Sequence, residues 1–184
     1  MNGVLGLIGA LLIAGGATAK NVTIGLTDEF VPNGMISLVN IGAVQNGATA
    51  VTVSIGRYDG PFFSRKLGHL AGALAINSRG NIGRGVGAAL ATEVLTSDAP
   101  ELHYRATQTA SLTYRLENRS GWFEPFAGGG WQMSGRDGSR NVGAAWTGGV
   151  NMRSSQPGYL DVMTGQITRA SGANTWRVAF GWRL

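Results

Sequence analysis

The sequence predicts an all-β fold, an antiparallel transmembrane β-barrel of 8 or 10 strands. Three observations predict it. Charged residues make up 14% of the chain and Gly 30 of its 184 residues, where soluble domains carry about a quarter charged residues. No apolar run reaches the ~18 residues of a membrane-spanning helix. Long stretches alternate apolar and polar side chains with period two. Strands that show one face to lipid and the other to a lumen reconcile these features. A soluble β-sandwich shares the alternation and is the competing architecture.

In chain order, Val4 to Ala14 is an apolar run, followed by Gly15-Gly16-Ala17-Thr18-Ala19. The Ala-x-Ala exit predicts a signal peptide over 1–19 and a single outer-membrane barrel domain over 20–184, with Lys20 first in the mature chain. No Lys or Arg precedes the run, so only the α-amino group supplies its positive charge.

Candidate strands then follow at Asn21 to Phe30, Met35 to Gly42, Ala48 to Tyr58, Leu67 to Asn77 and Gly83 to Leu95. The clearest is Tyr104 to Leu116. Tyr104, Ala106, Gln108, Ala110, Leu112, Tyr114 and Leu116 form one face, and Arg105, Thr107, Thr109, Ser111, Thr113 and Arg115 the other. Tyr104 and Tyr114 fall about 25 Å apart along a tilted strand, the spacing of two interfacial aromatic belts. Trp122 to Met133, Asn141 to Arg153 (outer face through Trp146), Tyr159 to Thr168 and the final strand complete ten. Without Asn21 to Phe30 and Tyr159 to Thr168 there are eight, and an even count suits either reading.

Turn clusters separate the strands: Gln45-Asn46-Gly47, Asp59-Gly60-Pro61, Ser78-Arg79-Gly80-Asn81, Asn118-Arg119-Ser120-Gly121, Arg136-Asp137-Gly138, Gln156-Pro157-Gly158 and Ser171-Gly172-Ala173-Asn174. All are short, so each neighbouring pair reads as a hairpin. In the ten-strand reading, shorter and longer turns alternate between the two ends.

The run Pro125-Phe126-Ala127-Gly128-Gly129-Gly130-Trp131 and the final strand, with Trp176, Val178, Phe180, Trp182 and Leu184 on one face, resemble the small OmpA-type outer-membrane barrels. The likeness covers residues 34–184. It implies residence in a bacterial outer membrane among lipid and lipopolysaccharide, and a last strand read by the barrel-insertion machinery. That pattern prefers a terminal aromatic residue, and this chain ends on Leu184.

With the apolar faces outward, Tyr104, Tyr114, Trp146, Trp176 and Trp182 form the membrane aromatic girdle. Glu93, Arg105, Arg115, Glu124, Asp161, Arg177 and Arg183 turn inward, with Gln132. Buried charges must pair. A two-residue turn at Arg119-Ser120 sets Arg115 opposite Glu124, which predicts an ion pair inside the barrel.

Three functions compete. The first is a non-enzymatic barrel with a structural or surface-interaction role, and the second a narrow pore. The third is an enzyme acting on lipid or peptide, resting on His69 and His103 near one rim, with Asp59, Ser64, Asp98 and Glu101 nearby in sequence. The chain has no Cys and only two His, which excludes disulfides and a His/Cys metal cluster; no cofactor is expected. Arg residues scattered through strands argue against nucleic acid. Loop cations Arg65, Lys66, Arg136, Arg140 and Arg169 suit lipopolysaccharide phosphates or plain solvation equally. Gly128-Gly129-Gly130 lacks the Gly-Lys-Ser/Thr of a phosphate loop and fits close strand packing or curvature.

Overall fold

The structure, a computed structural model, describes residues 21–32, 34–45, 48–60, 68–99, 102–136, 139–154, 162–170 and 173–183. Eleven strands form: β1 Asn21–Val31, β2 Gly34–Gln45, β3 Thr49–Asp59, β4 His69–Gly83, β5 Val86–Ala99, β6 Leu102–Tyr114, β7 Leu116–Asn118, β8 Gly121–Arg136, β9 Ser139–Ser154, β10 Val162–Ala170 and β11 Ala173–Arg183. Neighbouring strands pair antiparallel, except that β6 and β7 both pair with β8 and not with each other, and β1 pairs with β11 to close the cylinder. The short β7 is no separate stave. It carries the line of β6 past Arg115, keeping the ladder that pairs Thr113 with Phe126 and Leu116 with Phe123. The barrel therefore has ten staves; the two N-terminal candidates belong to it, and so does the Tyr159 to Thr168 candidate, whose described part lies in β10, Val162–Ala170.

Closure leaves a measurable stagger. From Gly25, partners run through Asn40, Ser54, Ala73 and Leu95 to Arg105. The other way they run through Gly181, Val162, Arg153 and Trp122 to Glu117, twelve positions further along the same line. For ten strands this shear gives a tilt of about 40°. Each residue then climbs roughly 2.5 Å along the axis.

Asn21 and Arg183 lie at one rim, here the lower, where β2–β3, β4–β5, β7–β8 and β9–β10 are joined. The upper rim joins the other neighbours. Two-residue connections occur at both rims, at 84–85 and 119–120 below and at 32–33 and 100–101 above. The expected alternation of short and long turns is absent, because the longer connections, 60–68 and 155–161, fall one at each rim.

The turn expected at Ser78-Arg79-Gly80-Asn81 is instead the continuation of β4. The chain reverses at Arg84-Gly85, where φ is 51° and 80°. Two positive φ values in succession match the twist of a two-residue hairpin. An Arg in that conformation carries little turn signal, which is why composition pointed five residues too early.

Inside, apolar residues fill one wall toward the upper rim. Ile36, Leu38, Tyr58, Ala71, Leu95 and Ala99 form a buried cluster joined by Val31, Ala73 and Leu102. The apolar outer faces of β2 to β5, with Val39, Ile55, Leu70 and Val94, are as expected, but some apolar residues of these strands also point inward. A lumen of this width has to be filled by side chains, and Ile36 and Leu38 fill it.

Gly128 and Gly130 show what the glycine run accomplishes. A Cβ at Gly128 would collide with the backbone oxygen of Ala110 on β6, and one at Gly130 with that of Gln108. Gly165, on the outer face, would meet nothing within 4 Å. Gly128→Val or Gly130→Val should lower the unfolding free energy by about 3 kcal/mol or prevent refolding, with Gly165→Val close to neutral, as read by urea titration monitored by far-UV circular dichroism.

Candidate functional site

The inner surface carries the chemistry, because the alternation of each strand sends one polar set into the lumen. Pairing across the closing seam puts Glu29 of β1 directly beside Arg177 of β11. Glu93 of β5 and Arg105 of β6 come from the opposite wall, four or five staves away. Their side chains meet. Arg105 Nη1 and Nη2 donate to Glu29 Oε1 and Oε2 at 2.5 and 2.7 Å, and Nη2 also reaches Glu93 Oε1 at 3.1 Å. Arg177 donates to Glu29 Oε2 through Nε and Nη2 at 3.3 and 2.7 Å. Its Nη1 and Nη2 reach Glu93 Oε2 and Oε1, both at 2.6 Å. All four carboxylate oxygens are engaged. Glu29 is 2% exposed and Arg105 5%, so this is a desolvated strut with balanced charge.

Below it lies a layer of neutral polar side chains. Asn40 Nδ2 donates to Thr27 Oγ1 at 2.7 Å, and Gln166 Nε2 to Thr147 Oγ1 at 2.8 Å. Thr164 Oγ1 donates to Asn151 Oδ1 at 2.9 Å, and Asn151 Nδ2 reaches Glu124 Oε1 at 3.4 Å.

Nearer the lower rim is a second charged group. Arg115 Nε and Nη2 lie 3.0 and 2.9 Å from Glu124 Oε2. Arg79 Nη1 donates to Glu124 Oε1 at 2.8 Å. The Arg115 guanidinium also sits 4.7 Å above the Trp122 ring. Among the described residues, no buried side-chain nitrogen or oxygen lacks a hydrogen-bond partner.

The sequence-predicted residues thus separate into two groups. Glu93, Arg105 and Arg177 meet in the upper strut, and Arg115 and Glu124 in the lower group. Gln132 accepts from Thr107 Oγ1 at 3.3 Å. Asp161 and the side chain of Arg183 lie outside the described residues. Sequence reasoning missed Glu29, whose strand was the weakest candidate, and Arg79, hidden in the misplaced turn. Extending each strand's alternation to its full barrel length would have found both.

His69 and His103 both fall near the upper rim. His69 Nδ1 is 3.3 Å from Asp98 Oδ1, with the side chains 41% and 65% exposed. A contact so open to solvent is worth little. Asp59 is held by Arg57 at 2.7 Å instead; Ser64, Glu101 and the loop cations Arg65 and Lys66 lie outside the described residues.

The outer face is the reverse of the inner. Tyr114, Trp146, Trp176 and Trp182 are 48%, 67%, 54% and 39% exposed, and Tyr104 is half-buried. By the stagger, Trp131, Trp146 and Trp176 share one level in the upper half. Trp182 lies six residues below Trp176, roughly 15 Å along the axis. Gln108 accepts from Trp131 Nε1 at 3.0 Å on this face.

Charge is uneven from rim to rim. The upper half carries Asp28, Glu29, Asp59, Glu93 and Asp98 against Arg57, Arg105, Arg136, Arg140, Arg169 and Arg177 among the described residues, a near balance. The lower carries Arg79, Arg84, Arg115, Arg119, Arg153 and Arg183 against Glu117 and Glu124.

No family model and no curated protein matches the chain. Solved structures similar to it include the KdgM porin, 7% identical with a TM-score of 0.41, covering 87% of this chain and 98% of that one. The KdgM porin in complex with disordered oligogalacturonate is 10% identical with a TM-score of 0.40 over the same shares. Ail, the attachment invasion locus protein of Yersinia pestis, is 12% identical with a TM-score of 0.32, over 89% of this chain and 97% of that one.

Removing one member of the upper strut leaves an uncompensated buried charge. Glu29→Met should cost about 3–5 kcal/mol. Adding Arg105→Met should recover most of it, because Glu93 and Arg177 remain as a neutral pair; urea unfolding of the single and double variants reads the difference.

Proposed function

We propose that the chain is a bacterial outer-membrane β-barrel with a closed lumen, acting as a structural or surface-interaction protein and neither conducting solutes nor catalysing a reaction. One observation carries this reading. Large apolar side chains cover the outside, among them Leu26 at 47%, Val39 at 48%, Leu90 at 47%, Leu112 at 63% and Trp146 at 67% exposed, while Glu29 and Glu124 inside are each 2% exposed. Soluble proteins bury the first kind and expose the second. A continuous apolar surface of this extent marks contact with an apolar partner, and a girdled belt around a polar interior suits a bilayer. Lipid, and lipopolysaccharide at the rims, would then be its immediate surroundings. Export through the 1–19 leader and insertion through β11 belong to the same proposal.

The closed state rests on the filling of the lumen. The apolar cluster, the cross-lumen strut, the polar layer and the Glu124 group follow one another from upper to lower rim. A cavity of about 150 Å³ opens near the upper rim. Its lining, including Tyr58, Leu102, Arg105, Gln132 and Thr168, comes from the upper half.

Fractionation and planar-bilayer recording test the two halves of the proposal. The mature chain should leave the cell lysate with the outer membrane, migrate faster on gels before boiling than after, and give no sustained current. A soluble, unshifted chain would remove the membrane reading. Steady single-channel conductance would replace the closed barrel with a narrow pore.

A further inference from the structure

The excess of positive charge at the lower rim has a built centre. Glu124 is buried, and its two oxygens are shared between Arg79, Arg115 and Asn151. Glu117, 69% exposed, reaches Arg115 Nη1 only at 3.9 Å, a pair that solvent screens. Among the described residues the buried Glu124 is thus the one carboxylate held closely, and it offsets one of the two guanidiniums. The side chains of Arg79 and Arg115 remain 41% and 39% exposed beside it. Both point into the barrel by alternation, toward the lower mouth. Stacking on Trp122 holds Arg115 in place, and Glu124 holds both, so the two forks are ordered before anything binds. Guanidiniums sharing one carboxylate lie within roughly 8 Å of each other, a span that a small multivalent anion bridges.

We propose that Arg79 and Arg115 form a binding site at the lower mouth for a small multivalent anion bearing phosphate or carboxylate groups. Planar forks with fixed donors match those oxygens two at a time. Prior ordering lowers the entropic cost of capture. The remaining arginines of this rim raise the local anion concentration without contacting the ligand. Glu124 positions the forks and also repels the ligand, so its charge sets a limit on affinity. The same phosphate chemistry is present on lipid headgroups, but those stay outside the wall, whereas these two side chains face the lumen. The site requires the barrel and is independent of where the barrel resides.

The test is isothermal titration of tripolyphosphate into the refolded full chain in zwitterionic detergent. Saturable binding of one anion per barrel is expected. Arg79→Gln and Arg115→Gln should each weaken it about tenfold, the loss of one charge-assisted contact. Glu124→Gln, which keeps the shape and an accepting oxygen while removing the repulsion, should tighten it several-fold. Arg84→Gln and Arg119→Gln, at the turn tips, should change it by less than about twofold. Circular dichroism and gel migration establish which variants are folded. If Glu124→Gln does not fold, the two arginine variants decide alone. Absence of saturable binding overturns the site, as does equal loss on changing Arg84 or Arg119, or weaker binding in folded Glu124→Gln. Abolition of binding when anionic phospholipid replaces part of the detergent would assign the arginines to headgroups and likewise overturn it.

Discussion

Neutralising charge across the lumen is the constraint on which the rest of this barrel depends. Closing β1 against β11 brings Glu29 beside Arg177, and neither tolerates burial without partners. The opposite wall supplies Arg105 and Glu93. Four N–H to oxygen contacts then tie the seam to the far side, and three more join the pair on each wall. The strut forms only if all ten staves are in register, because a slip of one residue would turn each of these side chains outward. It links the closing strand pair to the middle of the chain, so closure and charge balance are achieved together.

The other layers follow from the same geometry. A shear of twelve on ten strands leaves an interior that side chains can fill. Above the strut the filling is apolar, with Tyr58, Ile36 and Leu95 buried almost completely. Below it hydroxyls and amides satisfy one another, and the last layer holds Glu124 between two arginines. Outside, the alternate residues of the same strands have no protein to pack against. Their apolar character is therefore set by the surrounding medium, and that of the inner layers by what fills the lumen.

Legibility in the sequence depended on how far each strand's pattern ran without interruption. Tyr104 to Leu116 and Asn141 to Arg153 alternate cleanly, and their structural counterparts β6, β7 and β9 carry the faces that the alternation assigns. Arg115 and Glu124 come together because their hairpin turns at two residues, a local feature. Arg79 was hidden by a segment, Ser78 to Asn81, whose composition imitates a turn while the backbone stays extended. Glu29 was obscured for a different reason. β1 carries Asp28 and Glu29 on successive positions, so charge appears on both faces; Asp28 shares the outer face of Ile24, Leu26 and Phe30 and accepts a hydrogen bond from Ser37 Oγ at 2.7 Å, while Glu29 shares the inner face of Thr23, Gly25 and Thr27.

By itself the sequence determined the class of fold, most of the strands and the direction in which most side chains point. Those properties are periodic or local, and a pleated chain expresses them without reference to distant residues. The tertiary structure decided the count of ten, the turn at Arg84-Gly85, the apolar filling by Ile36 and Leu38, and the meeting of Glu29 with Arg105 and Arg177. Each depends on register carried around a closed cylinder. Residues 76 and 148 positions apart become neighbours there, and no spacing along a single strand encodes that contact.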